Sequence, residues 1–232
     1  MIKAVRNRKH LALLIVLLSA GIVEPLAARF SERVLLVGVS IAAVINLGVL
    51  MVIFERRRWE RFLGVFLVAI IFGADIIHEL SSHSWHLATI VYHCFAALFL
   101  AFAVAVILIR IFQHERIHTD DVIGALCGYL LAAAAWGNVY ALAYFFRPAS
   151  FRISDGIASQ INDWHFQRFF FDYFSVMTLT TMGLSDMAPA GAPVYSLTWV
   201  ESVFGQFYIA IVVAQLVGLR LAQAIKQDRP AL

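Results

Sequence analysis

The chain is predicted to be an all-helical integral membrane protein with six crossings and one further helix that enters the bilayer without crossing it. Three observations lead there. Of its 232 residues 62% are hydrophobic and 14% charged, against roughly 25% charged in an average soluble domain. The apolar residues gather in blocks close to the roughly 20 needed to cross a bilayer. The Lys and Arg residues collect at one set of block ends.

Taken in order, the predicted spans are Leu11 to Ala28, Val34 to Phe54, Phe62 to Leu80, Leu87 to Ile109, Val122 to Phe146 and Leu197 to Ile225. The first has a competing reading as a cleavable signal peptide. A basic head precedes Leu11 to Val23, and Glu24-Pro25-Leu26-Ala27-Ala28 follows. A further apolar stretch, Phe169 to Met182, is too short to cross and carries Asp172, Ser175 and several threonines. It is predicted to enter and leave on one side. Irregular backbone at membrane depth is tolerated only where it is buried in protein or lines a watery path, so this stretch points to a pore.

Orientation follows from the basic residues. Lys3, Arg6, Arg8 and Lys9 precede the first span, and Arg56, Arg57, Arg58 and Arg61 lie between the second and third. Arg110 and Arg116 follow the fourth, and Arg220, Lys226 and Arg229 close the chain. These thirteen of the eighteen Lys and Arg residues fall on one side of a six-span topology. Both termini are therefore expected in the cytoplasm and the chain in the cell membrane. The net charge of +3 reflects this topology and implies no nucleic-acid partner. Cys94 and Cys127 both sit inside spans, so neither implies a disulfide. No internal repeat appears at a fixed period.

Thr178 to Asp186 read TLTTMGLSD between two apolar segments. The flanks are DDVIGALCGYLLAAAAWGNVYALAYFFRPASF from Asp120 and WVESVFGQFYIAIVVAQLVGL from Trp199. Together these resemble the outer helix, filter and inner helix of the tetrameric potassium-channel family, whose usual filter is TVGYGD. Thr178, Thr180, Thr181, Gly183 and Asp186 match; Met182 stands for Val, Leu184 for Tyr and Ser185 for Gly.

The resemblance implies a homotetramer surrounded by membrane lipid, with no cofactor beyond permeant potassium ions. It divides the chain into a voltage-sensor-like domain (1–118), a pore domain (119–226) and a short cytoplasmic tail (227–232). Asp172 to Thr180 would form the pore helix, with Tyr173 and Phe174 packed around the filter. Backbone carbonyls of Thr181, Met182, Gly183, Leu184 and Ser185 would line the ion path, with Asp186 at its mouth. Gly205 is a candidate bend or close-packing point in the inner helix, as is Gly218, and Gln206 is expected to bond a neighbouring helix. The second filter glycine of the family is left-handed, a conformation that costs an L-residue about 1–2 kcal/mol; Ser185 inherits that cost. The pattern leaves open a potassium channel, a weakly selective monovalent cation channel, and a membrane scaffold or sensor that keeps the fold without conducting. Accessory subunits are not specified.

Leu87 to Ile109 holds no Arg, Lys, Asp or Glu. Moving one charge through the field is worth about 2.3 kcal/mol per 100 mV, so no steep voltage sensor is expected. Asp75, His78, Glu79, His83 and His86 run toward the next span, which holds His93. Ionisable groups at membrane depth are functional candidates, and this run is a candidate proton- or metal-sensitive modulatory site; the alternative is interfacial residues solvated in the loop HELSSHSWH, with Asp75 paired to a neighbouring helix. The HExxH zinc motif is not met, because Ser82 stands where its second His belongs. No other pattern supports an enzyme.

Overall fold

The computed structural model describes residues 9–27, 58–80, 86–113 and 119–227. Helices dominate them: α1 (Lys9–Ala27), α2 (Arg58–Leu80), α3 (His86–Gln113), α4 (Thr119–Phe146), α5 (Asp155–Ala158), α6 (Trp164–Leu179) and α7 (Ala192–Gln227). Among the described residues, α2, α3, α4 and α7 are long and apolar enough to cross a membrane. The chain is thus a helical membrane protein. Helix α1 occupies the first predicted span, and His10–Ser19 is its apolar part among the described side chains. The predicted span from Val34 to Phe54 lies outside the described residues.

Each long helix overruns its apolar block, since the charged flanks are good helix formers. Helix α2 begins at Arg58 rather than Phe62, and α3 continues past Ile109 to Gln113. The overrun places Glu60 and Arg110 in reach of each other, and Arg110 Nη2 donates to Glu60 Oε2 at 3.1 Å. Helix α3 carries no charged residue before Arg110.

Helix α4 is the hub, packing against α1, α3, α6 and α7. Its small residues permit this closeness. His10 Nδ1 lies 2.6 Å from Asp120 Oδ2, tying α1 to the start of α4, and Tyr208 donates to the Ala125 carbonyl at 2.8 Å, tying α7 to it. A first core gathers Phe99, Leu131 and Ile107 between the early helices and α4. A second gathers Tyr140, Phe151, Phe171 and Phe174, whose rings meet largely edge to face.

The all-helical expectation misses one small feature. Strand β1 (Phe151–Ile153) pairs antiparallel with β2 (Met187–Pro189), Phe151 opposite Pro189 and Ile153 opposite Met187. This ribbon joins the chain before α6 to the chain after the TLTTMGLSD loop. Helix α6 itself begins at Trp164 and not at Asp172. Asp163 accounts for the early start: its side chain accepts the Phe166 N–H at 2.9 Å, the bond of a helix N-cap.

Candidate pore loop and a buried polar cluster

The C-terminal end of α6 runs directly into the loop. Thr178 and Thr180 turn their hydroxyls back to the Phe174 and Val176 carbonyls, at 2.8 and 2.6 Å. The Thr181 N–H bonds the Thr178 carbonyl at 2.9 Å, and the Gly183 N–H reaches back to the Met177 carbonyl at 3.1 Å. That return requires two left-handed residues, Thr181 with φ 59° and Gly183 with φ 67°. Gly183 adopts this freely, whereas a β-branched residue does so at a cost of about 1–2 kcal/mol.

The cost expected at Ser185 therefore falls on Thr181, because the loop turns at its beginning and not at its outer half. Ser185 has no positive φ, and its hydroxyl accepts the Met187 N–H at 3.1 Å. The Thr181 hydroxyl donates to the Thr180 carbonyl at 2.7 Å and lies 3.4 Å from Gln206 Nε2. Gln206 thus bonds the loop from α7.

Met182 and Leu184 are 61% and 64% exposed, and Gly183 and Asp186 are exposed with them. The loop is consequently open along one side of the chain. Asp186 is held by the ribbon: its carbonyl accepts the Ser154 N–H at 2.9 Å, and Ser154 Oγ lies 3.5 Å from its carboxylate. Beside the loop lies a 320 Å³ cavity bordered by Phe174, Met177, Ser185 and Ser202.

The end of α6 is gripped from two helices. Tyr129 of α4 donates to the Leu179 carbonyl at 2.9 Å, and Ser202 of α7 to the Thr178 carbonyl at 3.4 Å. A Cβ on Gly205 would lie 2.2 Å from the Leu179 oxygen, so only glycine admits this approach. Helix α7 runs through Gly205 unbroken. Gly205 is therefore a contact point; Gly218 has nothing within 4 Å of its Cβ position.

Tyr173 and Phe174 part company, as neighbours on a helix must. Phe174 is buried against Tyr140 and Phe151, while Tyr173 is half-buried and stacks on Phe169. One group the sequence reading did not assign sits behind them. Glu201 is fully buried; Tyr140 donates to its Oε2 at 2.5 Å, and Ser175 contacts its Oε1 while also reaching the Ala133 carbonyl at 2.7 Å. A lone carboxyl in the apolar inner-helix segment was the available signal. Its three-helix wiring was not readable.

Asp75, His78 and His93, scattered over two predicted spans, are brought together and are 6%, 4% and 1% exposed. His78 is therefore not a solvated loop group, and Asp75 faces Arg168 of α6. His78 stacks on Trp164 with ring centroids 4.0 Å apart, and His93 lies 5.0 Å from the same ring. His93 Nδ1 bonds Asn138 Oδ1 at 2.8 Å. Arg168 sits 3.8 Å from Asp75 and 4.6 Å over the Tyr92 ring. Glu79 falls in the last turn of α2, but its side chain, like His83, lies outside the described residues. His86 is exposed at the start of α3. Among the described residues, no group of three or more His, Cys, Asp or Glu is placed to hold a metal ion. The cluster instead joins the start of α6 to the early helices.

Set against known proteins, the chain matches no family model, no curated protein and no solved structure.

Proposed function

We propose that the chain is one subunit of a passive cation channel in the cell membrane, with both termini cytoplasmic and four copies arranged around an axis lined by Thr181 to Ser185. The observation that carries this reading is α6: a helix too short to cross, ending in an exposed left-handed loop whose two ends are both clamped. The negative end of its dipole favours a cation there. Carbonyls of Thr181, Met182, Gly183 and Leu184 replace the ion's hydration shell, and Asp186 concentrates cations at the mouth. One chain supplies one arc, so the exposed side of the loop needs other copies. The most apolar window of α7 is 17% buried, against 50% for α4, which supports partners or lipid along that helix.

Potassium is the permeant ion of this reading, because Thr181-Met182-Gly183 keeps the inner part of the family pattern. A weakly selective monovalent cation channel is the second reading, favoured by the 320 Å³ cavity beside the loop and by Leu184 and Ser185, which leave its outer half less braced. The third is a non-conducting scaffold or sensor. Purified protein in liposomes, assayed for potassium against sodium flux, decides among them. Potassium flux exceeding sodium, with the preference reduced in Thr181→Ala, is the expected outcome. Equal fluxes select the weakly selective reading. A silent native chain whose Leu184→Tyr/Ser185→Gly variant conducts selects the scaffold. Currents are expected to lack steep voltage activation, since α3 carries no charge before Arg110.

A further inference from the structure

We infer that Glu201 is held as a neutral carboxylic acid that donates its proton to Ser175, and that this bound proton closes the link between α4, α6 and α7 behind the loop. Four groups meet there: Tyr140 and the Ala133 carbonyl from α4, Ser175 from α6 and Glu201 from α7. All three side chains are fully buried.

The number of protons available fixes the state of the acid. Tyr140 meets Glu201 Oε2 at 2.5 Å, Ser175 meets Glu201 Oε1, and Ser175 meets the Ala133 carbonyl at 2.7 Å. Each contact needs a proton between its two oxygens. A carbonyl has none to give, so the single proton of the Ser175 hydroxyl goes to Ala133. Tyr140 supplies the proton on Oε2. The contact between Ser175 and Glu201 then has one source left, the Glu201 carboxyl. An ionised Glu201 would leave two buried oxygens in contact with no hydrogen between them.

Charge points the same way. Among the described residues, no Lys, Arg or His pairs with Glu201. The titratable groups that bear on it from α4 are Tyr140 and Tyr129. Helix α6 offers Asp172, whose Oδ1 lies 2.1 Å from the Cβ position of Gly137, one turn before Tyr140. Helix α7 carries no other titratable residue from Leu197 to Gly205, and Pro148–Ser150 and β2, which also touch α7, carry none. A buried carboxylate without a cation is far costlier than a hydrogen-bonded neutral acid.

The position of the bond gives it leverage on the loop. Ser175 and Leu179 are four residues apart on α6, and Glu201 and Gly205 are four apart on α7, so each pair lies on one face. The bond from Glu201 to Ser175 is therefore one turn from the place where Gly205 meets the Leu179 carbonyl. Removing the proton breaks that bond and leaves a charge in its place. The effect on flux rests on the channel reading, whereas the protonation of Glu201 does not.

The full-length protein and Glu201→Gln, whose amide keeps the shape and offers an N–H to Ser175, test this by infrared difference spectroscopy and by thermal unfolding in detergent across pH. The native-minus-variant spectrum at neutral pH is expected to show the C=O stretch of a protonated carboxyl; carboxylate bands in its place overturn the assignment. With rising pH the native chain should lose stability relative to Glu201→Gln. Over the range where the folded chain keeps the proton and the unfolded chain has lost it, its unfolding constant rises by up to about tenfold per pH unit. Parallel pH profiles, or a Glu201→Gln chain that does not fold, overturn the proposal, since the amide supplies the same three contacts. In liposomes, potassium flux through the native chain should fall at alkaline pH and flux through Glu201→Gln should not; equal flux profiles overturn the link to the loop. Silence at every pH refutes the channel reading and leaves the spectrum and the stability profile standing.

Discussion

Helix α6 begins among stacked rings and a long ion pair, Trp164 on His78 and Arg168 3.8 Å from Asp75, and it ends on hydrogen bonds and a bare glycine contact at its last carbonyls. Ring stacking and an ion pair of that length tolerate sliding, because their energy changes slowly with position. A hydrogen bond weakens steeply away from its geometry, and a glycine pressed on a carbonyl admits almost no movement. The loop is therefore positioned from α4 and α7, while the early helices set where α6 starts. The same short helix has a fixed end and an adjustable one.

The largest effect is expected where the fixed end is tightest. Gly205→Val places a side chain 2.2 Å from the Leu179 oxygen and should cost about 3 kcal/mol as overpacking, with cation flux lost. Thermal unfolding in detergent measures it, and a native-like melting temperature would break the comparison at its stronger side. Next comes Glu201→Ala. It leaves Tyr140 and Ser175 without a shared partner, a loss of roughly 1–3 kcal/mol for two interhelical bonds at about 0.6–1.7 each. Glu201→Gln keeps the shape and should lose less than half as much.

At the adjustable end Arg168→Gln is expected to cost about 0.5–1 kcal/mol, the scale of a cation–π contact, and to leave the potassium-to-sodium flux ratio unchanged. A shift in that ratio would show that both ends position the loop.

What could be read beforehand follows the same division. Spans α2, α3, α4 and α7 were legible because an apolar block near 20 residues has one solution in a bilayer. The TLTTMGLSD stretch begins in the last turn of a helix of 16 residues, Trp164–Leu179. The helix start was missed because Trp164-His165-Phe166-Gln167 reads as mixed polarity, although Asp163 offered a cap. The ribbon was missed because three-residue strands carry no usable alternation.

Strain was assigned to Ser185 by its place in a motif, yet the loop turns at Thr181, where the Met177 carbonyl draws the Gly183 N–H back. Gly205 could not be separated into bend or contact without the carbonyl it meets. Asp75, His78 and His93 were visible as a run of ionisable groups; that Trp164 and Arg168 arrive from α6 to bury them was not.

The tight antiparallel pairing of α3 with α4 has a further consequence. Helix α3 ends at Gln113 and α4 starts at Thr119, and the two lie along each other within one chain. The early helices of each copy are thereby kept beside that copy's own loop. In the proposed ring the described helices α2 and α3 then stay with their own copy, and two differently tagged populations mixed in detergent should scramble into hybrid rings without unfolding.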